Sequence, residues 1–151
     1  MTEQFSATIR APIERVWHLI DDPAQLSRWM EGLVESRDLD GGAPRRVGSR
    51  FVQRIREGGR ETEYQGEITD YEPPSRLGLT IGNRIFAMRV LYRLERVAEG
   101  TRLDYSAGLE RGGAFVRVMS SLFGWLTRRI LRRQMARLKA LAEAPITPSP
   151  A

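Results

Sequence analysis

Apolar Phe5, Ala7 and Ile9 alternate with Ser6 and Thr8, which is the period of a strand with one buried face, and Ala11-Pro12 ends it. The period then lengthens. Ile13, Val16, Trp17 and Ile20 recur at helical spacing, predicting a short helix that carries Pro12 in its first turn. Asp22-Pro23 restarts the chain, with Asp22 as cap and Pro23 opening a second short helix that runs to Met30.

Between Leu33 and Leu109, turn chemistry at Asp40-Gly41-Gly42-Ala43-Pro44, Gly58-Gly59, Glu72-Pro73-Pro74-Ser75, Gly82-Asn83 and Ala98-Glu99-Gly100 cuts the chain into six strands of a meander. A two-residue turn at Gly58-Gly59 fixes the register of its hairpin. It sets Arg56, Arg54 and Arg50 opposite Glu61, Glu63 and Glu67 on one face, and Ile55, Gln53 and Phe51 opposite Thr62, Tyr64 and Gly66 on the other. Opposite charges across a pair are favourable and belong in water, so the second face is the inner one. By the same reasoning, pairing Arg93 with Asp104 and Glu95 with Arg102 sets Phe86, Met88, Val90, Tyr92 and Leu94 against Leu109, Ala107, Tyr105 and Leu103, across a four-residue loop.

After Gly112-Gly113, residues Ala114 to Glu143 read as one proline-free helix, about 45 Å long at 1.5 Å per residue. Its apolar stripe changes phase. Phe115, Val118, Met119, Leu122, Phe123, Leu126 and Ile130 share one face, whereas Leu131, Gln134, Met135, Leu138, Leu141 and Ala142 share another, turned by about 100°. If both faces are buried in one molecule, a kink or π-bulge between Gly124 and Leu131 absorbs a residue, and a hinge near Gly124 makes the first half a lid. The competing outcome is a straight helix whose leftover apolar face, with Trp125, is covered by a second subunit or a membrane. The proline-rich tail 144–151 is expected to be disordered.

A chain of 151 residues, 41% hydrophobic and 28% charged, suits a single domain over 1–143 with a substantial core. The absence of cysteine excludes disulfides, thiolate metal sites and cysteine nucleophiles. The polar opening Met1-Thr2-Glu3-Gln4 and the lack of any apolar run of about 18 residues predict a cytoplasmic protein. The net charge of +5 is carried almost wholly by arginine, Lys139 being the one lysine.

Strand, two short helices, six-stranded meander and long helix make the order of a helix-grip fold. The residues agree with that order. The segment Ile9 to Trp17 with Asp21-Asp22 and Trp29, then Val47-Gly48-Ser49, Gly66 to Pro74, Tyr92-Arg93-Leu94-Glu95 and Gly100-Thr101-Arg102-Leu103, resembles the polyketide cyclase/dehydrase and lipid-transport family of the START and birch-pollen-allergen (SRPBCC) superfamily. The resemblance covers residues 3 to 143. It implies an α+β fold in which a curved seven-stranded antiparallel sheet wraps the long C-terminal helix, with a cavity between them for a small apolar ligand such as a lipid, quinone or polyketide.

The inner face offers Gln53, Tyr64, Tyr92 and Tyr105 among Phe51, Ile68, Leu79, Phe86 and Met88, with Phe115, Met119 and Phe123 from the helix and Trp29 from the second short helix. Apolar walls with few polar groups suit a ligand pocket, and a filled core would show the same composition. The tyrosines are the groups that would handle protons if the protein were a cyclase or dehydrase. No catalytic dyad, metal-ligand spacing or nucleotide fingerprint is present, and no cofactor is expected. His18, the only histidine, lies opposite Val16, Trp17 and Ile20 and reads as a surface residue. Arg128, Arg129, Arg132 and Arg133 could meet an anionic membrane peripherally, beside Trp125. Nucleic acid is disfavoured, because aromatics interleaved for base stacking are missing. Monomer and homodimer both remain open.

Overall fold

In a computed structural model, residues 2–145 are described. Strand β1 (Thr2–Ile9) is followed by helices α1 (Ile13–Asp21) and α2 (Pro23–Leu26). Then come β2 (Leu33–Asp38), β3 (Arg50–Glu57), β4 (Arg60–Glu72), β5 (Arg76–Gly82), β6 (Phe86–Val97) and β7 (Gly100–Gly112). Helices α3 (Ala114–Leu122) and α4 (Gly124–Glu143) close the order. The seven strands form one antiparallel sheet, β1-β7-β6-β5-β4-β3-β2, and this is the helix-grip arrangement expected.

Both hairpin registers match the charge pairing. Arg56, Arg54 and Arg50 stand opposite Glu61, Glu63 and Glu67, and Gln53 opposite Tyr64. Gly58 and Gly59 supply the positive φ, 55° and 81°, that a tight turn with the twist of the flanking strands requires. Arg54, however, forms its ion pairs with Glu35 at 2.9 Å and Glu61 at 3.3 Å rather than with Glu63 across from it, because a long side chain in a twisted sheet reaches diagonal neighbours. In the second hairpin Arg93 pairs with Asp104 and Glu95 with Arg102. Pairing continues to Val97 and Gly100, so the turn has two residues, not four.

The second short helix stops at Leu26 instead of Met30. The chain turns there, so Trp29 enters the core, 1% exposed, and its indole N–H donates to the Leu19 carbonyl at 2.8 Å. Asp22 caps α2 as expected, accepting from the Ala24 amide at 3.0 Å.

The long helix breaks at Phe123, just ahead of the expected interval, with no π-bulge: φ is −105° and ψ 14° there, and Leu126 donates back to the Phe123 carbonyl. The break does not bury both stripes. In α4, Leu131, Met135, Leu138 and Ala142 are buried, whereas no residue of α3 is. Contacts along its length fasten α4. Glu31 donates its amide to Gln134 at 2.8 Å and accepts from Arg133, Arg10 donates its amide to Glu143 at 2.8 Å, and Arg15 reaches the terminal carbonyls of Leu141 and Ala144. Beneath α4, Trp29, Phe51, Ile68, Leu77 and Leu103 fill the concave side of the sheet. Of the expected disordered tail, residues 146–151 lie outside the described ones.

Candidate functional site

Where α4 covers the sheet the interior is packed; where α3 covers it a groove of about 590 Å³ remains. Phe86, Met88 and Leu109 line it from the sheet, and Val116, Ser120, Gly124 and Thr127 line it from the helix. These helix positions are spaced four, four and three residues apart. One more step of four leads to Leu131, so the inward face of α3 continues the buried face of α4. Along that face, side chains shrink from leucine and methionine to glycine and serine. The groove exists because nothing on α3's inward face is long enough to fill it.

Charge enters at the rim. Glu3 extends the alternation of Phe5, Ala7 and Ile9 by one more step, which puts a largely buried carboxylate on the groove, 3.8 Å from Arg128; Arg117 lines the same space. Glu3 was not among the expected site residues, because the strand was read from Phe5. Carrying the two-residue period back one step would have found it, and setting the helix phase from Leu131 would have found Val116, Ser120 and Gly124.

Of the residues expected to line a cavity, only Phe86 and Met88 line this groove. Trp29, Phe51, Ile68 and Tyr92 belong to the packed core, and Leu79, Met88 and Tyr105 pack partly buried against it. Gln53 is 5% exposed, and its Oε1 accepts no hydrogen bond from the described residues. Tyr64 stacks its ring edge-on against Phe86 with centroids 6.0 Å apart, and its hydroxyl donates to Glu57 at 2.9 Å, at the hairpin end. Phe115 and Phe123 turn away from the sheet, 76% and 46% exposed, and Met119 is half-buried outside the groove lining. Their displacement has one cause: α4 sets the phase of the helix, and the first stripe is left outside.

All four tyrosines are held protonated. Burial raises Tyr64 to about 12, helped by its bond to Glu57, and raises Tyr105 to about 12, helped by the charge of Glu3. Burial next to Tyr105 drives Tyr92 well above the ordinary value; the two rings meet edge to face at 5.1 Å. Tyr71 rises to about 12 through burial and its 2.9 Å hydrogen bond to Asp21. At physiological pH these hydroxyls can donate hydrogen bonds and polarise an oxygen; none is available as a base.

A second polar cluster sits at the packed end. Arg45, over the Phe51 ring at 5.7 Å, pairs with Asp21 at 2.9 Å and Asp38 at 3.4 Å, tying the loop between β2 and β3 to α1. Burial raises the pKa of Asp38 despite Arg45. A hollow of about 710 Å³ lies on the outer face of the sheet among Arg50, Glu63, Gln65, Glu67 and Thr80. Its walls are charged, with Arg50 3.8 Å from Glu67, so it is a poor seat for an apolar molecule. His18 is exposed, 3.7 Å from Asp22. Among the described residues no group of three or more His, Asp or Glu converges on a metal position, and no helix is long and apolar enough to cross a membrane.

Known structures share this architecture at low identity. Protein CV1439 from Chromobacterium violaceum superposes with a TM-score of 0.71 at 22% identity, over 96% of this chain and 99% of that one. Protein NE0264 from Nitrosomonas europaea gives 0.75 at 16%, over 94% of each chain, and TTHA0849 from Thermus thermophilus gives 0.72 at 17%, over 92% and 94%. At such identities the likeness speaks for the fold alone. No curated protein matches the chain in sequence. The model of one family, polyketide cyclase/dehydrase and lipid transport, matches residues 3–143. With nearly the whole length matched and the helix-grip architecture in place, the chain belongs to that family and is an SRPBCC domain of the ligand-binding type.

Proposed function

We propose that the protein binds and carries a small, mainly apolar molecule, lipid-, quinone- or polyketide-like, in the groove between α3 and the sheet. The observation that carries this reading is the floor of Phe86, Met88 and Leu109 left uncovered by the small residues of α3. An apolar molecule placed there gains roughly 25 cal/mol for each Å² of apolar surface removed from water. The ligand's polar end would lie at the rim, where Arg117 and Arg128 offer donors. Protonated tyrosines fit a binding protein better than a catalyst that must remove protons.

The test is displacement of an environment-sensitive apolar dye, anilinonaphthalene sulfonate, by fatty acids, quinones and aromatic polyketides, with native mass spectrometry of whatever co-purifies. Met88→Trp should fill the groove and remove binding while leaving the thermal transition cooperative. Dye binding that survives Met88→Trp places the ligand elsewhere.

Glu3 favours a second reading. A carboxylate beside an apolar floor is the one groove side chain that could take up a proton, as a cyclase or dehydrase requires. Turnover of an aromatic polyketide precursor that Glu3→Gln abolishes, with dye affinity unchanged, would support catalysis.

A further inference from the structure

The outward face of the C-terminal helices is the least expected surface of the molecule. Ten large apolar side chains are strongly exposed among the described residues, and six of them, Phe115, Val118, Leu122, Phe123, Trp125 and Leu126, lie within twelve consecutive positions. Val118, Leu122 and Trp125 are 56%, 63% and 57% exposed. Isolated exposed apolar residues are ordinary; a contiguous patch of this kind marks a surface that something covers.

The helical period carries the same face onward to Arg129, Arg132 and Arg133, and Trp125 shares a shallow hollow with Arg128, Arg129, Arg132 and Arg133. The face is therefore divided along its axis, apolar at the α3 end and cationic one to three turns later. From Ala114 to Ala142 there are seven cationic side chains and no carboxylate. Arg133 is paired with Glu31, and Arg128 lies by Glu3, whereas Arg129 and Arg132 have no ion-pair partner among the described residues.

We infer that α3 and the first turns of α4 dock on an anionic lipid bilayer, the apolar end entering the headgroup and acyl boundary and the arginines holding lipid phosphates. Charge decides between this surface and a second copy of the chain. A second copy would cover the apolar residues but bring no acid to the arginines, since neither helix carries a carboxylate from Ala114 to Ala142, and parallel helices would also set two arginine clusters side by side. A bilayer carrying negative headgroups covers the apolar residues and neutralises the arginines at once. The docking face is the back of the helix whose inner side roofs the groove. The proposal does not rest on the groove's being a ligand site, since it uses the opposite side of the helix.

The full chain, without ligand, is mixed with phosphatidylcholine vesicles and with vesicles containing phosphatidylglycerol. Sedimentation should show binding at least tenfold tighter to the anionic vesicles and weakened by salt. Trp17 and Trp29 are buried, so quenching by brominated lipid reports Trp125 and should vanish in Trp125→Phe. Arg129→Ala combined with Arg132→Ala should weaken anionic binding about 25-fold, from roughly fivefold per arginine near a charged surface. Leu122→Asp should abolish both sedimentation and quenching; Phe115→Ser provides the same test if Leu122→Asp fails to fold. Three outcomes overturn the proposal: equal or absent binding to the two vesicle types, binding unchanged in these variants, or a concentration-dependent dimer that Leu122→Asp dissolves.

Discussion

The two halves of the C-terminal helix carry similar apolar side chains and treat them oppositely. Leu131, Met135 and Leu138 are all less than a tenth exposed, whereas Phe115, Val118 and Leu122 are all more than half exposed. Hydrophobicity does not separate the two sets; position around the helix axis does. The α4 half is pinned by Glu31, Arg10 and Arg15 to elements that also hold the core, so its leucines must face inward. The α3 half inherits that phase across the Phe123 break and presents Val116 and Ser120 to the sheet. One end of the grip is thereby closed and structural, and the other is open on both sides, toward the groove and toward solvent.

If that contrast is right, Leu138→Ala should cost about 2–5 kcal/mol in chemical denaturation, since it leaves a cavity at a fully buried position. Gly66→Ala tests the closed end from the sheet side. A Cβ there would stand 2.1 Å from the ring of Phe51, which is itself buried, so a cost of about 1–3 kcal/mol is expected. At the open end Phe115→Ala should change stability by less than about 0.5 kcal/mol, because nothing packs on that ring. A loss approaching that of Leu138→Ala would dissolve the comparison. Hydrogen exchange sharpens it without mutation: amides of α4 from Leu131 onward should be protected, and those of α3 should exchange orders of magnitude faster.

The tyrosines predict the pH response of the concave wall. Their folded pKa values are raised above 10, so the stability they contribute is fully present below pH 10 and is lost as pH climbs through about 12. Absorbance near the tyrosinate band should stay flat at pH 10 in the folded protein and rise together with cooperative unfolding between pH 10 and 12. Tyrosinate forming well before unfolding would show that the hydroxyls are not shielded as described.

Much of the architecture was legible in the residues. Period-two alternation, the Gly58-Gly59 turn and the opposed arginines and glutamates specify register through local geometry and near-neighbour charge, and both hairpins form with those pairs, the second with a bulge at Ala87-Met88 and a tighter turn than expected. The phase change near Gly124 was equally plain, and so were the two outcomes it allowed. The tertiary structure follows neither in full, since the helix breaks at Phe123 and still leaves the first stripe outside. A stripe is buried only if some surface meets it, and the surface available under α3 was set by how α4 packs against β1 and α1, contacts more than a hundred residues apart in sequence. The same dependence moved Phe115 and Phe123 out of the expected site, brought Glu3 into it, and gave the Tyr64 hydroxyl to Glu57. Sequence determined which residues share a face, because the backbone period fixes that locally; the packed fold decided which way each face points, because that depends on partners the local chain does not contain.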